Sequence, residues 1–329
     1  MNVELLASAI ARVVVGTGLC WIGSDWLVDG LETIARAKGV PESVLGVLIS
    51  APGTSLPEFG SAIVSSLEGY SEVGVGCVVG SNVYNICGII GITALLVPFT
   101  VGKYPFRDTL IAVGIGILLL LLVMHGLGLE WYEAIFLLVL YAIYAYSLTK
   151  REEEAPQEAE GEGEAKKVYE TTWKTYAKVV CGIGLFVVAI KWCLVDGTID
   201  LAKAIGYPAA LLGYTLLAIA TSLPETFTTL NAARRGMGDL AVTNITGSNN
   251  FNILMGLGVP AIITGKVQAK PWDPTLILYM IVITAILAIP ARLGKLGRPY
   301  GALNLALYGG FIALLWETIM YHHYLHLWF

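Results

Sequence analysis

The sequence predicts an all-α integral membrane protein of ten transmembrane helices, arranged as two inverted five-helix repeats with discontinuous helices at the bilayer midplane. Three observations lead there: long apolar runs, an internal repeat held in fixed register, and basic residues gathered in alternate loops. The chain has 329 residues, of which 56% are hydrophobic and only 14% charged, too few charges to clothe a soluble domain of this length. Uncharged runs such as Thr109 to Leu129 and Tyr300 to Trp316 approach the roughly 20 residues a helix needs to cross a bilayer. The first residues lack the positive start of a secretory signal, so the first apolar segment is expected to be retained. The five cysteines show no metal-ligand spacing and are expected to be small buried hydrophobes.

The repeat is the most informative feature. Leu27-Val28-Asp29-Gly30 recurs as Leu194-Val195-Asp196-Gly197, Thr54-Ser55-Leu56-Pro57-Glu58 as Thr221-Ser222-Leu223-Pro224-Glu225, and Gly80-Ser81-Asn82 as Gly247-Ser248-Asn249. Asn85 recurs as Asn252, and every pair is offset by 167 residues. Residues 1–149 form the first repeat and 168–329 the second, joined by an acidic cytoplasmic linker, 150–167, that is too polar to bury surface and is expected to be disordered. The apolar segments run near 5–35, 41–67, 72–97, 106–126 and 130–149, then 172–204, 208–234, 239–264, 273–292 and 300–325. An odd number of spans per half inverts the second against the first, a transporter architecture with its site near the midplane. With both termini outside, the cytoplasmic loops hold Arg36, Lys38, Lys103, Arg107, Lys150, Arg151, Lys166, Lys167, Lys174, Lys178, Arg234, Arg235, Arg292, Lys295 and Arg298, whereas the outer loops hold only Lys203, Lys266 and Lys270. That bias obeys the positive-inside rule. Arg12 and Lys191, inside or near spans, are expected to snorkel or pair, and the histidines of the tail to anchor it at the interface.

Charge at membrane depth is costly, so Glu58 and Glu225 mark a functional site. Thr54 and Glu58 are four residues apart, as are Thr221 and Glu225, Ser81 and Asn85, and Ser248 and Asn252, so each pair shares a helix face. Pro57 and Pro224 free the carbonyls of Gly53 and Ala220. Irregular backbone is tolerated at this depth only beside a cavity. The result is a ring of oxygens without histidine or a thiolate pair, suited to hard cations such as calcium and not to zinc, copper or iron. Two carboxylates neutralise one divalent ion. Sodium ions competing for the same oxygens would make the two cargoes mutually exclusive, the minimal requirement of antiport.

At these residues the chain resembles the cation/calcium exchanger superfamily, in particular its sodium/calcium exchanger branch. The motifs are APGTSLPE (Ala51 to Glu58) with VGSNVYN (Val79 to Asn85), and AIATSLPE (Ala218 to Glu225) with TGSNNFN (Thr246 to Asn252). The resemblance implies alternating access, with a sodium/calcium antiporter in the plasma membrane acting as a monomer and needing no cofactor beyond its transported Ca2+ and Na+. It implies calcium ligation by Glu58 and Glu225 with Thr54 and Thr221. It further implies flanking sodium sites at Ala51, Ser55 and Ser81 and at Ala218, Ser222 and Ser248, and a centre completed by Asn85 and Asn252. Ala220 stands where many members have glycine, though Pro224 remains to keep the backbone irregular. Asn252 stands where potassium-dependent relatives have aspartate, so exchange is expected to be potassium-independent, and the number of candidate oxygen sites flanking the glutamates leads to the expectation that it is electrogenic. The alternative within the superfamily is a calcium/proton antiporter, whose motifs lack the hydroxyls of Thr54-Ser55 and Thr221-Ser222. Intramembrane enzymes are excluded by the absence of a diphosphate-binding Asp cluster, a Ser–His or Asp–Asp pair, or HExxH.

Overall fold

The computed structural model describes residues 3–154 and 171–325, without the side chains of residues 42–43, 152–154 and 324–325. The expected linker lies outside the described residues from 155 onward, as does His326. The described chain is helical apart from two short strand pairs.

In chain order the helices are α1 (Val3–Ala37), α2 (residues 42–67), α3 (Ser71–Leu96), α4 (Tyr104–Gly126), α5 (Trp131–Glu154), α6 (Trp173–Ile205), α7 (residues 209–234), α8 (residues 238–264), α9 (Asp273–Leu293) and α10 (Arg298–Leu325). Seven of the described helices are long and apolar enough to cross a membrane, and an eighth span results if the arms of α7, bent by 48°, count as one. The remaining helices, α2 and α8, are interrupted. In α2 a π-helical turn (Gly46–Ser50) and a short arm (Ala51–Gly53) precede a break and a second arm (Leu56–Leu67). In α7 a π-helical turn (Gly213–Leu217) and an arm (Ala218–Thr221) precede a second arm (Leu223–Arg234). Each second arm carries its proline as its second residue, which has no N–H to contribute to the preceding turn. The residues at the breaks, Ser55 (φ −91°, ψ 4°) and Ser222 (φ −87°, ψ 12°), sit between helical and extended conformations.

The strand pairs tie loops of one half to loops of the other. Phe99–Thr100 pairs antiparallel with Lys295–Leu296, and Gly128–Glu130 with Lys266–Gln268. One pair lies before α4 and the other after it, so a helix of about 34 Å separates them. Helix α1 lies along α6, and glycines set how close they come. A Cβ on Gly182 would meet the backbone nitrogen of Leu27 at 2.8 Å, and one on Gly23 would meet that of Phe186 at 2.8 Å. Small residues at such an interface let backbones approach where no hydrophobic force drives helices together. The core mixes both halves, with Val78 and Ile86 packed in one cluster with Ile245, Leu254 and Leu276.

Two expectations are modified and a third is met. The helix α5 continues through Glu154 into the acidic stretch, because Glu and Arg are good helix formers and Arg151 is held by two 2.8 Å hydrogen bonds to buried Asp108 on α4. Cys20, Cys77 and Cys87 are buried as expected, but Cys181 is exposed on α6 and Cys193 half-buried. Arg12 and Lys191 do pair, Arg12 with Asp200 and Lys191 with Glu68 and Asp196.

Candidate functional site

The breaks in α2 and α7 deliver both glutamates to one place. Glu58 lies in the first turn of Leu56–Leu67 and Glu225 in the first turn of Leu223–Arg234, where the unsatisfied N–H groups and positive end of a helix favour negative charge. The pairs Thr54/Glu58 and Thr221/Glu225 therefore straddle a break and do not share one helix face. The proline acts at the start of the second arm, so the preceding serine, and not the turn behind it, becomes the hinge.

The two motifs are laced together reciprocally. Ser222 Oγ donates to Glu58 Oε1 at 2.7 Å, and Ser55 Oγ donates to Glu225 Oε1 at 2.9 Å. Each serine thus holds the carboxylate of the other half. Helices α3 and α8 pass across the breaks and supply the rest. Ser81 Oγ lies 3.4 Å from Glu58 Oε1 and 3.2 Å from the carbonyl oxygen of Ala218. Asn85 Nδ2 donates to Asn249 Oδ1 at 2.9 Å, and Asn252 Nδ2 to Asn82 Oδ1 at 3.1 Å. Asn82 Nδ2 donates to the backbone oxygen of Asn249 and Asn249 Nδ2 to that of Asn82, both at 3.1 Å.

Both glutamates are fully buried, as are Ser55, Ser81, Ser222, Asn85 and Asn252. Buried polar atoms are ordinarily satisfied, yet five oxygens here have no hydrogen-bond partner: Oε2 of Glu58, Oε2 of Glu225, Oδ1 of Asn85, Oδ1 of Asn252 and Oγ of Ser248. Four of the five can only accept. Buried carboxylates are costly unless they are paired or protonated, and a cluster of buried acceptors with two of them among it offers a cation that pairing. Among the described residues no group of three or more His, Cys, Asp or Glu gathers to hold a metal, so any cation must be completed by hydroxyl and amide oxygens.

The two sides of the site differ in exposure. Ala218 and Thr221 are buried, and Thr221 Oγ1 donates to the backbone oxygens of Leu217 and Ala218 at 3.0 and 3.2 Å. Their repeat mates Ala51 and Thr54 are exposed and half-buried. Gly80 packs against the backbone of Tyr214, whereas the nearest atom to a Cβ on Gly247 is the Tyr144 hydroxyl at 3.9 Å. Cavities of about 100 and 120 Å3 reach the open side, the first lined by Ser24, Asp25, Ser50 and Thr54, the second by Ala51, Asp108, Arg151 and Ser248. The sequence reading passed over Asn82 and Asn249, although both stand in the repeated Gly-Ser-Asn motif that signals them.

The family model described as Sodium/calcium exchanger protein matches residues 8–150 and 176–317, both halves without the connecting segment. The chain is 32% identical over 324 residues to the inner membrane protein YrbG of Escherichia coli, covering 96% of this chain and 97% of that one. It is 30% identical over 339 residues to the sodium/calcium exchanger MaX1 of Methanosarcina acetivorans, covering 89% and 94%. Among solved structures it is similar to the sodium-calcium exchanger NCX_Mj soaked with Na+ and Sr2+, with a TM-score of 0.63, 29% identity, and 94% and 99% of the two chains covered. Matched over both halves by one family, the chain belongs to the sodium/calcium exchanger proteins: it is a multi-pass membrane antiporter and not an enzyme.

Proposed function

We propose that the protein exchanges Ca2+ for Na+ by alternating access through one site shared by its two halves. The observation that carries this reading is the convergence of Glu58 and Glu225, each bound by the other half's serine and each left with one unpaired oxygen beside those of Asn85 and Asn252. Calcium takes six to eight oxygen ligands in flexible geometry. In this reading Glu58 and Glu225 hold it with Thr54 and Thr221, and Asn85 and Asn252 complete the centre. Sodium occupies flanking sites drawn from Ala51, Ser55, Ser81, Ala218, Ser222 and Ser248, which mix the halves: Ser81 lies with Ala218 and with Ser222 at Glu58, while Ser248 lines the same cavity as Ala51. The relative MaX1, named a sodium/calcium exchanger, supports this choice of cargo.

The architecture proposed is ten spans in two inverted repeats. The strand pairs support it: a shift of 167 residues carries Phe99 to Lys266 and Gly128 to Lys295, turning one pair into the other, and the two lie at opposite ends of α4. An exchange of halves that swaps the ends of a spanning helix is an inversion. With both termini outside a plasma membrane, Arg36 and Arg151 face the cytoplasm, and the open side of the site faces it too. The polar set is complete within one chain, which supports a functional monomer. Electrogenic exchange requires a third sodium beside the two flanking ions, and the central oxygens of Glu58, Glu225, Asn85 and Asn252 are available to it once calcium has left; Asn252 in place of a carboxylate supports independence from potassium.

The test is calcium flux in proteoliposomes with sodium, proton and potassium gradients imposed separately. Uptake driven by a sodium gradient, unmoved by an uncoupler and by potassium removal, is the expected result. Uptake that follows the proton gradient and ignores sodium would replace this reading with calcium/proton exchange.

A further inference from the structure

The amides of Asn85 and Asn252 face a problem that the glutamates do not. A carboxamide offers a cation its oxygen in one orientation and an NH2 group in the other, and a half-turn about the last bond exchanges them with almost no change of shape. We propose that Asn82 and Asn249 are positioning residues that hold the Asn252 and Asn85 amides oxygen-first toward the ion, a role that rests on the ion site proposed above.

The direction is fixed by a relay that ends on backbone. The carbonyl oxygen of Asn249 can only accept, so Asn82 must turn its Nδ2 toward it, at 3.1 Å. That leaves Asn82 Oδ1 facing Asn252, which must then present its Nδ2, at 3.1 Å. The Oδ1 of Asn252 is left pointing the other way and has no partner. The mirror relay runs from the carbonyl oxygen of Asn82 through Asn249 to Asn85, at 3.1 and 2.9 Å, and leaves Asn85 Oδ1 equally unpartnered. All four side chains are buried, at 1% exposure or less for Asn82, Asn85 and Asn252 and 2% for Asn249, so no water competes for these bonds. Turning Asn82 or Asn249 would set oxygen against oxygen at one end and NH2 against NH2 at the other, and turning Asn85 or Asn252 would set oxygen against oxygen. Each half's backbone thereby orients its own ion-facing amide through the other half's asparagine, and the two ion-facing oxygens come from opposite halves.

The experiment is a double-mutant cycle on calcium KM in proteoliposomes. Asn249→Leu removes the acceptor from Asn85 Nδ2 while keeping the same branched skeleton of heavy atoms, leaving the amide free to turn its NH2 toward the ion. Calcium KM is expected to rise about tenfold while the maximal rate changes much less. In an Asn85→Asp background both side-chain δ atoms are oxygen and orientation no longer matters, and Asn249 Oδ1 has lost the donor it accepted from, so Asn249→Leu should then no longer raise KM. A KM unmoved by Asn249→Leu, or moved equally in both backgrounds, overturns the positioning role. If Asn249→Leu is lost on purification, Asn249→Ala removes the same acceptor and is read the same way. Glu225→Gln serves as the reference. An inactive Glu225→Gln beside an unmoved Asn249→Leu defeats only the positioning role, whereas a fully active Glu225→Gln defeats the ion site itself.

Discussion

At the scale of single residues, the site is a balance between carboxylates that want a cation and hydroxyls that hold them while they wait. Glu58 and Glu225 each accept from a serine of the opposite half and keep a second oxygen unpaired. Replacing either by glutamine removes a charge and an acceptor from a buried ion site, where breaking such pairing costs about 3–5 kcal/mol. Glu58→Gln and Glu225→Gln should therefore each lower sodium-dependent calcium uptake by at least about a hundredfold, and near-normal uptake in either would remove that residue from the site. The serines have a different signature. Ser222→Ala takes a donor from Glu58 and a ligand from a proposed sodium site, so the sodium concentration for half-maximal exchange should rise roughly fivefold, the worth of about one net hydrogen bond. The carboxylates and hydroxyls were legible in the sequence because polar residues stand out against an apolar ground at repeated positions. The relay through Asn82 and Asn249 was not, because an amide bridging two halves leaves no mark on hydropathy or on spacing within one half.

At the scale of elements, apolar run lengths located the helices, and the prolines of the repeated motifs foretold the breaks. The place of each break is displaced by a residue or two: Pro57 and Pro224 lie in the first turns of the second arms, making Ser55 and Ser222 the hinges and putting the glutamates at helix N-termini. The π-helical turns Gly46–Ser50 and Gly213–Leu217 lie at repeat-related positions, yet no residue type announces a π turn, so they were invisible beforehand. The end of α5 was misplaced because glutamates that read as linker composition are also good helix formers. The α1–α6 contact yields a prediction of its own. Gly182→Leu would drive a side chain into the backbone of Leu27, where even a Cβ has only 2.8 Å. Overpacking of this kind costs about 1–3 kcal/mol, so thermal unfolding in detergent should show a lowered midpoint, while the same change at Gly184, which faces open space, should not.

At the scale of the whole molecule, one sequence motif used twice has produced two half-sites in different states. Thr54 and Ala51 border cavities, whereas Thr221 and Ala218 are sealed. No sequence reading could choose between them, because the motifs are nearly identical and the difference lies in which pair of helices has closed. With exposed Cys181 replaced, a thiol reagent added from the side of the connecting segment should modify Thr54→Cys at least about tenfold faster than Thr221→Cys, and equal rates would mean that the asymmetry is not held in the membrane. The interleaving of the halves has a last consequence. Strands, amides and core side chains all find their partners across the repeat, so a lone half has little of its own to fold around. A gene cut within codons 155 to 170 should therefore yield two fragments that are degraded when made singly and that rejoin, when made together, into a working exchanger.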